Sequence, residues 1–393
     1  MYLNISLFIV ILSFFISPLF LAFTSIFYII KNKYAGYIGL SLLLGFFAFS
    51  YIPYEGYDLN RHYEIYNSFI NNGDFLNYIN ITSYNIGSAF LYFILYIMSL
   101  LGIKKEFLPA LSVFISALIF LTIIYNEMSY KYKIIIVLFF ILIFPMLNIA
   151  SGIRFYLSAS IFIYYTYLLI VKNVKKNYLI IFVVLIHPVN AIFLIPVFTY
   201  KYIGSFSRFL LVLSSLLLIS GVCFYLSYFS SNFVLFILNN SKLFSVSYIE
   251  NKSIFDNLSY NESLSLMLQL SPIFISLFIL NVKKTWKNKE AYNFLSIMLF
   301  LIVVFSGISQ FFIRAVLVFD LMIFVFFVSY FYELTNTRIK RFFLFPFLLF
   351  MCISSLALMN TFKSSYIPSW SKLYYPTYLI ILETNITPDQ YIK

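Results

Sequence analysis

The chain is laid out as long apolar runs separated by short polar stretches, and most of the short ones carry a tight cluster of lysine or arginine. The runs cover residues 3–30, 36–53, 86–103, 107–125, 134–150 and 155–171, then 178–200, 209–229, 264–280, 291–310, 315–332 and 342–360. About 20 apolar residues in a helix rising about 1.5 Å each cross the ~30 Å hydrocarbon layer of a bilayer. Such a chain has too little polar surface to face water. Charged residues make up 10% of it and apolar ones 62%, whereas a soluble domain carries about 25% charged residues. The expected fold is all-α and polytopic, an integral membrane protein of about 11–12 helical segments, some of them broken or re-entrant. It reads as one transmembrane domain over residues 1–393, with outer loops or tail at 54–83, 230–263 and 361–393.

The first run begins MYLNISLFIVILSFF with no basic residue ahead of it and stays apolar to Ile30. That is longer than the apolar region of a signal peptide, so it is expected to remain as the first membrane helix. The net charge of +12 does not mark a nucleic-acid binder, because the basic residues sit between apolar runs rather than on one patch. They read as topology signals. The clusters at Lys31 and Lys33, Lys131 and Lys133, Lys172 with Lys175 and Lys176, Lys201 with Arg208, Lys283 to Lys289, and Arg338 with Lys340 and Arg341 are expected inside.

Counting crossings between these clusters exposes two misfits. Two runs separate the outer loop 54–83 from Lys131, where one net crossing is needed. One run separates Lys176 from Lys201, where an even number is needed. The second misfit disappears if YLIIFVVLIHPVNAIFLIPVF is a pair of half-helices broken at His187-Pro188. The first disappears if 86–103 or 107–125 is re-entrant or lies in the interface. With both exceptions, more basic residues fall inside than under simple crossing, and both termini face outward.

Cys223 and Cys352 each lie within an apolar run and read as packing residues. The sequence has no internal repeat and no zinc, phosphate-loop or dinucleotide motif, so neither metal nor cofactor is expected.

Three arginines stand apart from the clusters. Arg154, in NIASGIRFYLSASIF, and Arg314, in FSGISQFFIRAVLVFD, sit at the outer ends of apolar runs. A guanidinium there costs roughly 3 kcal/mol or more unless it meets an anion or a water-filled cavity. Two such forks on separate helices could clamp a lipid-linked diphosphate, with Asn148, Ser151, Ser309 and Gln310 adding uncharged hydrogen bonds. The ordinary alternatives are snorkelling to the headgroups or, for Arg314, pairing with Asp320.

Arg61 belongs to YIPYEGYDLNRHYEIYNSF, where Glu55, Asp58, His62 and Glu64 alternate with tyrosines. If the stretch after Gly56 is helical, Asp58, Arg61 and Ile65 share a face and Glu64 lies beside Arg61. Carboxylates beside aromatic rings suit sugar recognition and hydroxyl activation, and also describe a solvated, salt-bridged outer loop. His187 reads either as a base near the outer face or as a buried ring bonded to a carbonyl that Pro188 frees.

Three segments in order, GYDLNRHYEIY, ASGIRFYLSASIF and LIHPVNAIFLIPVF, resemble the Wzy/EpsG family of bacterial polysaccharide polymerases over roughly residues 50–200. Where that family often has Phe-His followed by Ser-Ala, this chain has Ile186-His187-Pro188-Val189-Asn190-Ala191. The resemblance implies a GT-C-like architecture and a glycosyltransferase of O-antigen or capsule repeat units, acting on undecaprenyl-diphosphate-linked oligosaccharide at the outer face of the inner membrane. It implies no nucleotide sugar and no metal, and it admits a chain-length regulator as a partner. In that chemistry Arg154, Arg314 and Arg61 would hold the diphosphate, Asp58, Glu64 or His187 would orient or deprotonate the acceptor hydroxyl, and Tyr57 and Tyr63 would cover sugar faces. A lipid-linked oligosaccharide flippase and an O-antigen ligase are the alternatives the same residues leave open.

Overall fold

A computed structural model describes residues 2–53, 55, 58–72, 75, 89–174, 178–202, 288–304, 309–330 and 375–391. The runs at 209–229, 264–280 and 342–360, with Cys223, Cys352 and Tyr57, lie outside the described residues. Every element among the described residues is a helix. The chain divides into two compact units, Met1–Ile161 with Met359–Lys393, and Phe162–Leu358.

In the first unit the leading apolar run is not one helix. It forms α1 (Tyr2–Ile16) and α2 (Pro18–Ile30), parted at Ser17, whose backbone is extended. Pro18 brings no N–H to the helix, and the Ser17 hydroxyl accepts the Phe20 N–H at 3.1 Å, so a new helix starts there. The run 134–150 is likewise cut. α7 (Tyr130–Ile143) stops before Pro145, which holds Phe144 extended, and a single turn, α8 (Met146–Ser151), follows.

α3 (Tyr34–Phe49) is the hub. It packs along α2 and α6 (Phe107–Glu127) and is buried over most of its length. A Cβ on Gly36 would lie 2.6 Å from the Ile29 nitrogen and the Ser25 oxygen, and one on Gly45 would lie 2.8 Å from the Ala110 oxygen. Only glycine lets these backbones approach so closely. The pairings run in opposite directions along α3 and α6. Tyr34 bonds Thr122 at 2.8 Å, Tyr37 rests on Tyr125, and Phe49 meets Phe107 at the other end. The two helices are therefore antiparallel.

This sorts the unit into two ends. At the start of α3, Lys133 Nζ donates to Asn32 Oδ1 at 2.7 Å, so the Lys31–Lys33 and Lys131–Lys133 clusters share one end, as the positive-inside reading requires. α3 has 16 residues and rises about 24 Å. Near its far end lie α4 (Asp58–Asn72), the start of α6, α8 and the start of α9 (Ile153–Thr166). α4 packs against α5 (Ala89–Leu100), whose 12 residues rise about 18 Å, short of the ~30 Å hydrocarbon thickness. α5 ends in a Schellman turn. Gly102 at φ +65 is the left-handed residue, and the Ile103 N–H reaches the Met98 carbonyl.

In the second unit, the end of α9 continues as a π-helix, Tyr167–Val171. The His187-Pro188 break is present as expected. α10 (Leu179–Ile186) ends at His187, a 3₁₀ turn covers Pro188–Phe193, and α11 (Leu194–Thr199) follows. Phe162, Phe193, Phe294 and Phe326 stack to join these to α12 (Lys289–Val304) and α13 (Ser309–Ser329). Asn288 caps α12, accepting the Glu290 and Ala291 N–H groups, and donates to the Tyr330 hydroxyl at 2.6 Å.

Candidate functional site

α4 is built to present a polar edge on an apolar base. Leu59, His62, Tyr63, Tyr66 and Phe69 recur at helical spacing and are buried, while Arg61 and Glu64 are exposed. Asp58 opens the helix, where a carboxylate interacts favourably with the N-terminal dipole. Across from it, Gly152 separates α8 from α9 and places Arg154 in the first turn of α9. Arg154 Nη2 lies 3.2 Å from Asp58 Oδ1, and the two side chains are 20% and 13% exposed. Both were singled out from the sequence. Their pairing was not, because 96 residues separate them.

The pair is loose. Charge-assisted N–H···O contacts run about 2.7–2.9 Å, and this Nη2 contact is longer. Partly exposed pairs of this kind contribute about 0–1 kcal/mol. The arginine also sits at the positive end of its helix dipole, which raises the potential it offers to an anion.

One turn along α4 from Asp58 lies His62, buried to 1% exposure with its ring edge-on to Tyr92. Neither ring nitrogen has a hydrogen-bond partner among the described residues. Burial pushes the imidazole down to about 3, Arg154 and Arg61 push the same way, and Asp58 opposes them. His62 is therefore neutral. The sequence had it among the polar residues of the loop without a role. Its place on the apolar stripe of α4, with one of only two histidines in the chain, was the available signal.

Tyr63 is fully buried. Lys105 Nζ stands 5.0 Å over its ring, and burial, then Glu106, Tyr391 and Tyr51, push its hydroxyl well above the usual tyrosine range. With the ring at 0% exposure, Tyr63 packs in the base of α4 in this structure. Glu64 and Arg61 stand on the open edge of α4. Asn148 and Ser151 are buried beside the site, with Ser151 Oγ donating to the Asn148 carbonyl at 3.1 Å.

Behind α4 the 101–106 turn ties down the C-terminal segment. Tyr66 donates to the Ile103 carbonyl at 2.7 Å. Lys104 Nζ donates to the carbonyls of Ile381, Leu382 and Thr384 at the end of α14 (Thr377–Glu383), and Glu106 Oε1 accepts the Ile386 N–H at 2.8 Å. A cation on the last carbonyls of a helix also meets the negative end of its dipole.

The remaining expected residues belong to the second unit. His187 is buried at the helix break, its N–H bonded to the Val183 carbonyl and its own carbonyl accepting the Asn190 N–H at 3.0 Å. Arg314 is half-buried in the first turns of α13. Asp320, six residues on, is buried, and its Oδ1 accepts no hydrogen bond among the described residues. No group of three or more metal-ligating side chains occurs among the described residues.

What results is a cation–carboxylate pair beside a neutral imidazole, at one end of an all-helical unit. Chemically it can bind an anion through Arg154 and accept a proton or a hydroxyl hydrogen bond through Asp58. No family model matches the chain, and no curated protein or solved structure matches it.

Proposed function

We propose that the chain is a multi-pass membrane glycosyltransferase that polymerises diphosphate-lipid-linked oligosaccharide repeat units, working at the outer face of the bacterial inner membrane. The membrane reading is supported by side chains that soluble proteins bury. Phe8, Phe15, Phe23, Phe27, Leu138 and Phe182 all face outward from helices, and Phe8 is 65% exposed. Phe107–Glu127 and Ile153–Val171 are long and apolar enough to cross a bilayer. The basic clusters of the first unit stand at the end away from α4, which fits a site on the outer side.

One observation carries the chemistry. The Arg154–Asp58 pair puts a guanidinium at the head of an apolar helix next to a carboxylate, the two groups that transfer from a diphosphate to a hydroxyl requires. The acceptor oxygen attacks the anomeric carbon, the bond from that carbon to the diphosphate oxygen breaks, and the hydroxyl proton passes to a base. Arg154 stabilises the charge that gathers on the leaving diphosphate. Asp58 receives or orients the hydroxyl. No metal or nucleotide is needed for this step.

Arg154→Ala, at wild-type protein level, is expected to cut elongation about 100- to 1000-fold, the cost of losing one charge-stabilising donor. Surface polysaccharide then runs on gels as single repeats, and a normal ladder would reject the reading. Arg314→Ala is expected to give the same pattern. Asp320, a buried carboxylate in a long apolar helix, is the observation that favours a transporter instead. Purified protein that lengthens lipid-linked repeats in detergent decides between them.

A further inference from the structure

The end of the first unit remote from α4 gathers lysines. α2 closes in a Schellman turn: the Asn32 N–H reaches the Ile29 carbonyl at 2.9 Å, the Lys33 N–H reaches the Tyr28 carbonyl at 2.8 Å, and Asn32 takes the left-handed backbone at φ +53. Lys31 and Lys33 stand on either side of it, both exposed. Lys133 of α7 is buried, bonded to Asn32 Oδ1 at 2.7 Å and held 4.3 Å from the centre of the Tyr125 ring. Two residues before it, Lys131 is exposed at the start of α7. Glu127 is the one carboxylate in residues 1–53 and 107–153, so four lysines meet here against a single acid.

Lysines drawn together repel one another, and an anion among them offsets that cost. The neighbouring surface says which anion. Phe27 and Ile30 on α2 and Ile134 and Ile135 on α7 face outward within about one turn of the exposed lysines. The two helices pack on each other, and Lys31 Nζ lies 5.8 Å from the centre of the outward Phe27 ring. We propose that this end of the unit is a binding site for an anionic phospholipid: Lys31, Lys33 and Lys131 take its phosphate, and the outward faces of α2 and α7 take its acyl chains.

A free phosphate or a nucleic acid would use the cations and leave the apolar side chains against water. A zwitterionic lipid would use the apolar faces, but it brings an ammonium group of its own to the lysines. An anionic phospholipid meets both demands, with its phosphate among ammonium groups and its chains against rings and branched side chains. The buried lysine makes this more than a charged edge. Its bond to Asn32 fixes the turn between α2 and α3 to the start of α7, so the three exposed ammonium groups are carried on one junction. The site is independent of the chemistry proposed for α4 and uses only the membrane reading.

The test is photolabelling of the full chain in detergent with a phosphatidylglycerol that carries a diazirine in its acyl chain close to the headgroup, the labelled residues being mapped by mass spectrometry. Label is expected on residues 26–30 and 130–135. Unlabelled phosphatidylglycerol is expected to remove it at a concentration at least about 10-fold below that needed for phosphatidylcholine with the same chains. Lys31→Gln, Lys33→Gln and Lys131→Gln made together are expected to erase that difference, with Lys133 and its bond to Asn32 left in place. Equal competition by the two lipids overturns the site, and so does a preference that the triple variant keeps. Soluble glycerol phosphate that competes as strongly as phosphatidylglycerol overturns the lipid as its ligand. Label that also misses the outward phenylalanines of α1 and α2 overturns the membrane reading with it. The wild-type competition needs no variant, so it decides the matter even where the triple variant fails to fold.

Discussion

His62 pays for its burial in acid. The unfolded chain holds the ring at its ordinary 6.5 and the folded chain at about 3, so between those values the unfolded state binds more protons. Stability is then intact above about pH 6.5 and falls as pH drops toward 3, by at most ~1.4 kcal/mol per pH unit for one proton. His62→Leu is expected to flatten that acid-side loss. Thermal unfolding in detergent between about pH 7 and pH 4, without added anion, reads it, and equal slopes in the two proteins would refute a buried neutral imidazole. Arg154 could be chosen from the sequence because an isolated charge in an apolar setting needs a reason, and Asp58 because it is a carboxylate among aromatic rings in a polar loop. That they choose each other could not, since residue type says nothing of which distant helix end comes alongside. For Tyr63 the same limit applies: its ring suits a sugar by composition and a core by helical phase, and its burial is visible only in the fold.

Helices here are bounded by local chemistry that hydropathy alone does not register. The run 3–30 is uniformly apolar, yet Ser17 and Pro18 end one helix and begin another, and Pro145 does the same after α7. The break at His187-Pro188 was legible because a polar residue marked it. The α2–α3 contact has a different origin, in glycines that no amphipathic pattern reveals. Gly36→Ala sets a methyl group 2.6 Å from two backbone atoms that cannot rotate away, and is expected to cost about 1–3 kcal/mol or more. Gly102→Ala meets nothing within 4 Å and suffers only its left-handed backbone, about 1 kcal/mol. Melting temperatures of the two variants should fall in that order, and a reversed order would reject the close α2–α3 contact. The turn at 104–106 works on the same scale. Lys104→Met removes three carbonyl contacts at once, so amide exchange should quicken over 377–391 and stay unchanged over α2 and α3. Unaltered exchange over 377–391 would mean that the lysine does not hold that segment.

Across the described residues an apolar run is not always one helix, and the two misfits in charge parity fall on runs that form short or broken helices. α5 has 12 described residues, and the 178–200 run is broken near its middle. The Lys133–Asn32 bond then joins two basic clusters that simple crossing would have put on opposite sides. With the positive-inside rule, the proposed function requires an orientation for the first unit with Lys31 and Lys131 inside and the exposed edge of α4 outside. Single cysteines at these positions, in a chain carrying Cys223→Ser and Cys352→Ser, test it. Arg61→Cys and Glu64→Cys should react with a membrane-impermeant maleimide in intact cells or spheroplasts, whereas Lys31→Cys and Lys131→Cys should react only after permeabilisation. All four side chains are exposed in the folded unit, so failure to react reflects the bilayer and not the fold. Labelling of Lys131→Cys from the same side as Arg61→Cys would overturn the orientation. It would also remove the outer-face location from the proposed polymerase, because the Arg154–Asp58 site is fixed to α4 and moves with it.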